Sequence, residues 1–172
     1  MIILMTGGAR SGKSREAERR ALQLSPSPIY LATATIGDDE MADRVRRHQA
    51  RRGQRWHTIE EPLRIGDIEV TGDVVLLDCL TLWATNVFFH CKEDPDESLT
   101  FLQEQFDKLT RDKATTFIVV TNEIGMGGIS SNALVRKFTD LQGWLNQYVA
   151  ALADEVVLMV SGIPVTIKKG DL

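Results

Sequence analysis

The residues best suited to chemistry come early, in Gly7-Gly8-Ala9-Arg10-Ser11-Gly12-Lys13-Ser14. The pattern is Gly-x-x-x-x-Gly-Lys-Ser, and its residue types serve phosphate. Gly7, Gly8 and Gly12 permit backbone angles that turn several N–H groups inward around an anion. Lys13 sets a cation on the terminal phosphates of a nucleoside triphosphate, and the Ser14 hydroxyl can ligate Mg²⁺. A second group is Asp78, after the apolar run Val74-Val75-Leu76-Leu77. Its carboxylate either supports Mg²⁺, directly or through water, or caps the helix that follows. A third is Asn122-Glu123, at the end of another apolar run. Such a pair serves a site at a strand's carboxyl end or closes a turn. The fourth is His48, in a stretch with six arginines between Arg44 and Arg55. Those arginines form either a solvated helix face or a phosphate site. His48 itself is either a satisfied core histidine or a neutral imidazole able to attack phosphorus. The other two histidines, His57 and His90, lie outside any obvious site context.

These groups need elements to hold them. Met1–Thr6 is an apolar run of strand length that leads into the glycine-rich loop, and a helix is expected over 15–24. That strand, loop and helix context is what a phosphate-binding loop requires. Ser25-Pro26-Ser27-Pro28 stops the helix. Ile29–Ala34 reads as a second buried strand, whose Ala-Thr-Ala end is either a plain tight exit from strand to loop or room for a close approach to the backbone. A helix is expected over 38–52, because acidic residues open it and Met41, Val45, His48 and Arg52 recur at helical spacing. Trp56–Glu60 alternates like a short strand, Leu63–Ile68 suggests a short helix, and Val74–Asp78 a buried strand. Cys79–Phe89 reads as a buried helix and 92–96 as an exposed loop. Leu99, Leu102, Phe106 and Leu109 mark an amphipathic helix over 97–111. Thr116–Thr121 is a further buried strand, and Ile124–Gly128 a flexible loop. A long helix over 132–153 carries Leu134, Phe138, Leu141, Leu145, Tyr148 and Leu152 on one face. Val156–Val160 reads as the last central strand, and Pro164 makes Ile163–Lys168 an edge strand. Apolar strands alternating with helices imply a mainly parallel α/β sheet flanked by helices.

At 172 residues the chain fits a single domain, 1–172. Its formal charge of −4 argues against a nucleic-acid-binding surface. Cys79 and Cys91 form neither a Cys-x-x-Cys pair nor a zinc spacing, which suggests reduced thiols in a cytoplasmic protein. No stretch approaches the roughly 20 apolar residues of a membrane span, and the first residues lack the basic leader of a signal peptide.

Taken together, these blocks resemble the bifunctional adenosylcobinamide kinase/adenosylcobinamide-phosphate guanylyltransferase family of cobalamin biosynthesis. The phosphate-binding loop is similar down to its non-glycine positions. So are Tyr30–Ala34, Asp39-Glu40-Met41, Arg44–His48, Trp56–Pro62, Leu77–Thr81 with Thr85-Asn86, Thr121–Gly127, and Val160–Pro164 with Ile167-Lys168. The resemblance covers nearly the whole chain and implies a P-loop NTPase fold of the RecA-like kind. It further implies that ATP or GTP phosphorylates the aminopropanol hydroxyl of adenosylcobinamide, and that GTP then gives GMP to a histidine. GMP passes from there to adenosylcobinamide phosphate, yielding adenosylcobinamide-GDP. By position in the motif His48 would carry GMP. The loop Gly7–Ser14, including Ala9, Arg10 and Ser11, would hold phosphates, and Ser14 and Asp78 would support Mg²⁺. Guanine-nucleotide contacts would fall on Ala32, Thr33 and Ala34, on Gln49, Ala50, Arg51 and Arg52, and on Glu60 and Asp78. The family also implies a homotrimer. His57 stands where arginine or another residue is common, and is a second candidate imidazole. The alternatives are a kinase acting on another small molecule and a nucleotide-gated switch.

Overall fold

The computed structural model describes residues 1–35, 46 and 53–170. Strands β1 (Ile2–Gly7), β2 (Ile29–Ala32), β3 (His57–Glu60), β4 (Val74–Asp78), β5 (Thr116–Val120), β6 (Glu155–Val160) and β7 (Ile163–Lys169) form one sheet. Their order is β3-β2-β4-β5-β1-β6-β7. All neighbours pair in parallel except β6 and β7, which form an antiparallel edge hairpin with a bulge. The helices are α1 (Lys13–Leu24), α2 (Leu80–His90), α3 (Pro95–Leu109) and α4 (Ala133–Leu152). The expected helix over 38–52 lies outside the described residues except for Arg46, which is helical and exposed.

A strand covered on both faces must be apolar at every position, not at alternate ones. β1 is buried throughout. Ile2 and Leu4 join a core that includes Trp83, Phe88, Phe106 and Leu145 of α2, α3 and α4. Ile3 and Met5, facing the other way, pack with Ala17 and Ala21 of α1. Two alanines on its buried face let α1 lie close against the sheet. Cys79 and Cys91 are buried free thiols.

Three local expectations shift. α3 begins at Pro95, inside the stretch read as an exposed loop, because Asp94 accepts from the N–H groups of Asp96 and Glu97 and so caps the helix. Proline at the first helical position loses nothing there. The short helix near 63–68 is a single 3₁₀ turn, Ile65–Asp67. Leu152, expected on the apolar face of α4, is 45% exposed, and Val149 is buried in its place. No helix among the described residues is long and apolar enough to cross a membrane.

An ion-pair chain fastens α1 to β6. Glu16 is bonded to Arg19 at 2.6 Å and Arg20 at 3.0 Å, and Arg20 reaches Glu155 at 3.0 Å. The hydrogen bond from Arg19, joined by that from Arg20 and by the charge of both guanidiniums, outweighs burial and holds the Glu16 carboxyl at about 2, below its ordinary 4.5. A depressed carboxylate contributes stability above its unfolded pKa and loses it as pH falls through the folded one. Acid should therefore remove about 1–2 kcal/mol between pH 4.5 and 2, less than the full shift implies because Arg19 is half exposed. Melting curves of Glu16→Gln should show a shallower acid slope than the parent protein over that window.

Candidate nucleotide and phosphoryl-transfer site

The loop from β1 to α1 has the geometry its glycines imply. Gly7 has φ +144° and Gly12 has φ +97°, angles that disfavour any side chain. At Gly7 a Cβ would also lie 2.5 Å from the carbonyl oxygen of Met159. Arg10 too is left-handed, at φ 57°. Gly8, Ala9 and Arg10 are exposed at the loop's crest, whereas Ser11 is buried. The loop is braced from behind, because the Gly162 N–H of the β6–β7 turn donates to Ser11 O at 2.9 Å.

Lys13 is only 7% exposed although it is charged. Its Nζ donates to Gly8 O at 2.5 Å and to Ser11 Oγ at 3.4 Å, so the ammonium is held under the loop. Lys13 and Ser14 open α1, whose helix dipole favours an anion at that end. The loop thus sets the Lys13 ammonium and the start of α1, with Ser14, around one place, a combination of charge and dipole suited to an anion.

The remaining groups line up along the carboxyl edge of the sheet. Register places Glu60 beside Ala32 and Ala32 beside Asp78. Asp78 lies beside Val120, and Val120 beside Met5. Glu60, Ala32 and Asp78 thus stand side by side on β3, β2 and β4. The buried Tyr30 donates its hydroxyl to Asp78 Oδ2 at 2.8 Å, which aims the carboxylate. Thr33 is fully buried; its hydroxyl donates to Cys79 O at 2.9 Å and accepts from Cys79 N at 3.0 Å, tying the exits of β2 and β4. Asn86 adds a strap, donating to Thr33 O at 2.8 Å and Pro62 O at 2.9 Å. Ala34 is half-buried beyond Thr33. His57 is exposed at the start of β3, at the opposite end of that strand from Glu60. His48, Gln49, Ala50, Arg51 and Arg52 lie outside the described residues.

A divalent cation fits these donors. Ser14 Oγ and the Asp78 carboxylate are hard oxygen ligands of the kind Mg²⁺ takes. Among the described residues no cluster of three or more His, Cys, Asp or Glu could hold a metal by itself.

A polar network behind β5 was not foreseen from the sequence. Thr6 Oγ1 donates to Glu123 Oε1 at 2.6 Å, and Asn146 Nδ2 reaches the same oxygen at 3.3 Å. Asn146 also donates to Asn122 O at 3.1 Å and accepts from the buried Thr121 and Gln142 side chains. Asn122 is held at both its N–H and its Nδ2 by Thr81 Oγ1.

A glycine-rich loop between a central parallel strand and a helix, with its lysine and serine at that helix's start, defines a P-loop NTPase fold. Flagellar accessory protein FlaH from Methanocaldococcus jannaschii has a similar fold, with a TM-score of 0.52 at 13% identity over 98% of this chain and 78% of that one. Within that class, residues 3–167 match the family described as cobinamide kinase / cobinamide phosphate guanyltransferase, and the chain belongs to that family. It is 40% identical to the bifunctional adenosylcobalamin biosynthesis protein CobP of Pseudomonas aeruginosa, over 96% of each chain. The CobU protein of Salmonella typhimurium, also called a bifunctional adenosylcobalamin biosynthesis protein, is 40% identical over 98% of this chain and all of its own. The Escherichia coli CobU is 42% identical over the same shares.

Proposed function

We propose that this protein is an adenosylcobinamide kinase and adenosylcobinamide-phosphate guanylyltransferase, acting in the cytoplasm on corrinoid and nucleotide rather than on nucleic acid. The observation that carries the reading is the family match over residues 3–167, since the loop geometry alone would serve any P-loop enzyme. In the first step the acceptor hydroxyl of adenosylcobinamide attacks the γ-phosphorus of ATP or GTP. Gly7–Ser14 hold the phosphates, and Lys13 offsets the charge that develops on them. Bound Mg²⁺, supported by Ser14 and Asp78, would neutralise phosphate charge and fix the leaving group. In the second step a nitrogen of His48 attacks the α-phosphorus of GTP and pyrophosphate leaves. The phosphate of the corrinoid then displaces the imidazole and takes GMP. Ala32–Ala34, Gln49–Arg52, Glu60 and Asp78 would contact the guanine nucleotide.

The same reading has the protein act as a homotrimer. What supports association is the edge hairpin, where Val160, Ile163, Val165 and Ile167 remain 44–64% exposed. An unpaired edge carrying that much apolar surface is usually covered in a working protein.

The reading is tested with GTP labelled at the α-phosphate, Mg²⁺ and no corrinoid. After denaturation the protein should carry acid-labile, base-stable label on His48, and adding adenosylcobinamide phosphate before denaturation should discharge it. Label on His57 would keep the function and move the site. Folded protein that binds GTP yet takes no label would remove the guanylyl half.

A further inference from the structure

We propose that Glu123 is the general base of the kinase step, the group that takes the proton from the acceptor hydroxyl as it attacks the γ-phosphorus. This rests on the kinase reading above.

The first argument is topological. β1 and β4, the strands that carry the phosphate loop and Asp78, are not neighbours, because β5 lies between them. Val120 at the end of β5 is level with Met5 on one side and Asp78 on the other. A Mg²⁺ supported by both Ser14 and Asp78 would lie over the carboxyl end of β5, the strand between theirs, and would carry the terminal phosphate there. Glu123 stands three residues beyond Val120. Its N–H donates to Gly7 O at 3.1 Å, which fixes it against the first residue of the loop.

The second argument is the state of the carboxylate. Both donors that reach it, Thr6 Oγ1 and Asn146 Nδ2, use Oε1. Thr6 is 4% exposed and Asn146 is 7% exposed, so the two anchors are themselves held in place. Oε2 accepts from no described residue, while Glu123 as a whole is only half-buried. One oxygen is thus fixed to the scaffold, while the other takes no hydrogen bond from a described residue on a side chain whose own N–H is bonded to the loop at Gly7. A residue that only closed a turn would not need a buried network spanning β1, β5 and α4 to aim it.

The step balances without a further reactant. The hydroxyl oxygen forms a bond to the γ-phosphorus, and the bond from that phosphorus to the β–γ bridging oxygen breaks. The electron pair leaves with the nucleoside diphosphate. The hydroxyl proton goes to Glu123 Oε2 and from there to water. General-base assistance contributes about 10²–10⁴-fold in rate. A largely dissociative phosphoryl transfer makes little demand on the nucleophile, so the lower end applies.

The test is Glu123→Gln, whose amide oxygen still accepts from Thr6 and Asn146 while its NH₂ cannot take a proton. Phosphorylation of adenosylcobinamide by γ-labelled GTP should fall about 10²-fold. Melting temperature and GMP labelling of the same protein should stay close to those of the parent. Thr6→Val, which leaves the base but removes its closest anchor, should cost roughly tenfold in the kinase step alone. Kinase activity within tenfold of the parent in Glu123→Gln would overturn the assignment. So would full recovery at higher Mg²⁺, which would make Glu123 a support for the ion. Parallel loss of kinase activity and GMP labelling would reduce it to a structural role. Parent protein that transfers no phosphate to the corrinoid alcohol would instead sink the kinase reading, and this proposal with it.

Discussion

Gly7→Ala should lower the melting temperature by roughly 10 °C, from a loss of about 3–4 kcal/mol. Two costs add at this position. The backbone sits at φ +144°, outside the range an L side chain adopts with ease. The new methyl would also meet the Met159 carbonyl at 2.5 Å, and that carbonyl belongs to β6, which cannot withdraw without disturbing its pairing with β1. Whatever relaxation occurs must move the loop, so nucleotide affinity should fall by at least about 10²-fold, consistent with several backbone donors being displaced together. Gly8→Ala is the control. Nothing lies within 4 Å of a Cβ there, and its melting temperature should match the parent's within about 2 °C. Thermal melts and equilibrium GTP binding of the two variants decide the matter. Equal behaviour would mean that the tight approach of Gly7 to β6 is not what shapes the loop.

Lys13→Ala should reduce kcat/KM for phosphorylation of the corrinoid by about 10²–10³-fold, the usual cost of removing one preorganised donor to developing charge. The ammonium is kept 7% exposed and bonded to Gly8 O and Ser11 Oγ, so it is positioned before any nucleotide arrives. A flexible surface lysine would instead have to be ordered during the reaction. Lys13→Arg should not rescue the variant, because a planar guanidinium is too large for a pocket shaped around a point charge under the loop. Steady-state kinase assays of both variants check this. Activity within tenfold of the parent in either one would show that the loop's backbone suffices.

The features legible in the sequence are those that local pattern controls. The strand before Gly7, the helix after Lys13 and the run ending in Asp78 each announce themselves within a dozen residues. Periodicity also finds the long helix α4, because its buried face repeats Leu141 and Leu145. The errors arise where a local rule has two readings. Pro95 was taken as part of a loop, although with Asp94 before it as a cap it begins a helix. What no local pattern contains is the positioning of the candidate site. Tyr30 orients Asp78 from 48 positions away, and Thr6 orients Glu123 from 117. Asn122-Glu123 was visible as a polar pair at a strand's end. Its anchor Asn146 sits on the buried face of α4 with Gln142, where two polar side chains among apolar ones carry no mark of their partners.

The position of β1 has a consequence for how the chain is made. The strand that carries the phosphate loop pairs only with β5 and β6, and its register with β5 begins at Ile2 against Phe117. At a synthesis rate of about 5–20 residues per second, Ile2 waits roughly 6–23 s before its partner exists. During that interval a largely apolar strand, buried at every position once folded, is attached to a growing polypeptide with its hydrogen-bonding edges open. β2 pairs with β3 on one side and β4 on the other, all made before β5, so these three strands have their partners early. Completion of the sheet then depends on β5 arriving between two segments already made. A ribosome stalled before codon 116 therefore presents a half-built sheet and a loose, sticky strand, the kind of nascent chain that a chaperone at the exit port must shield.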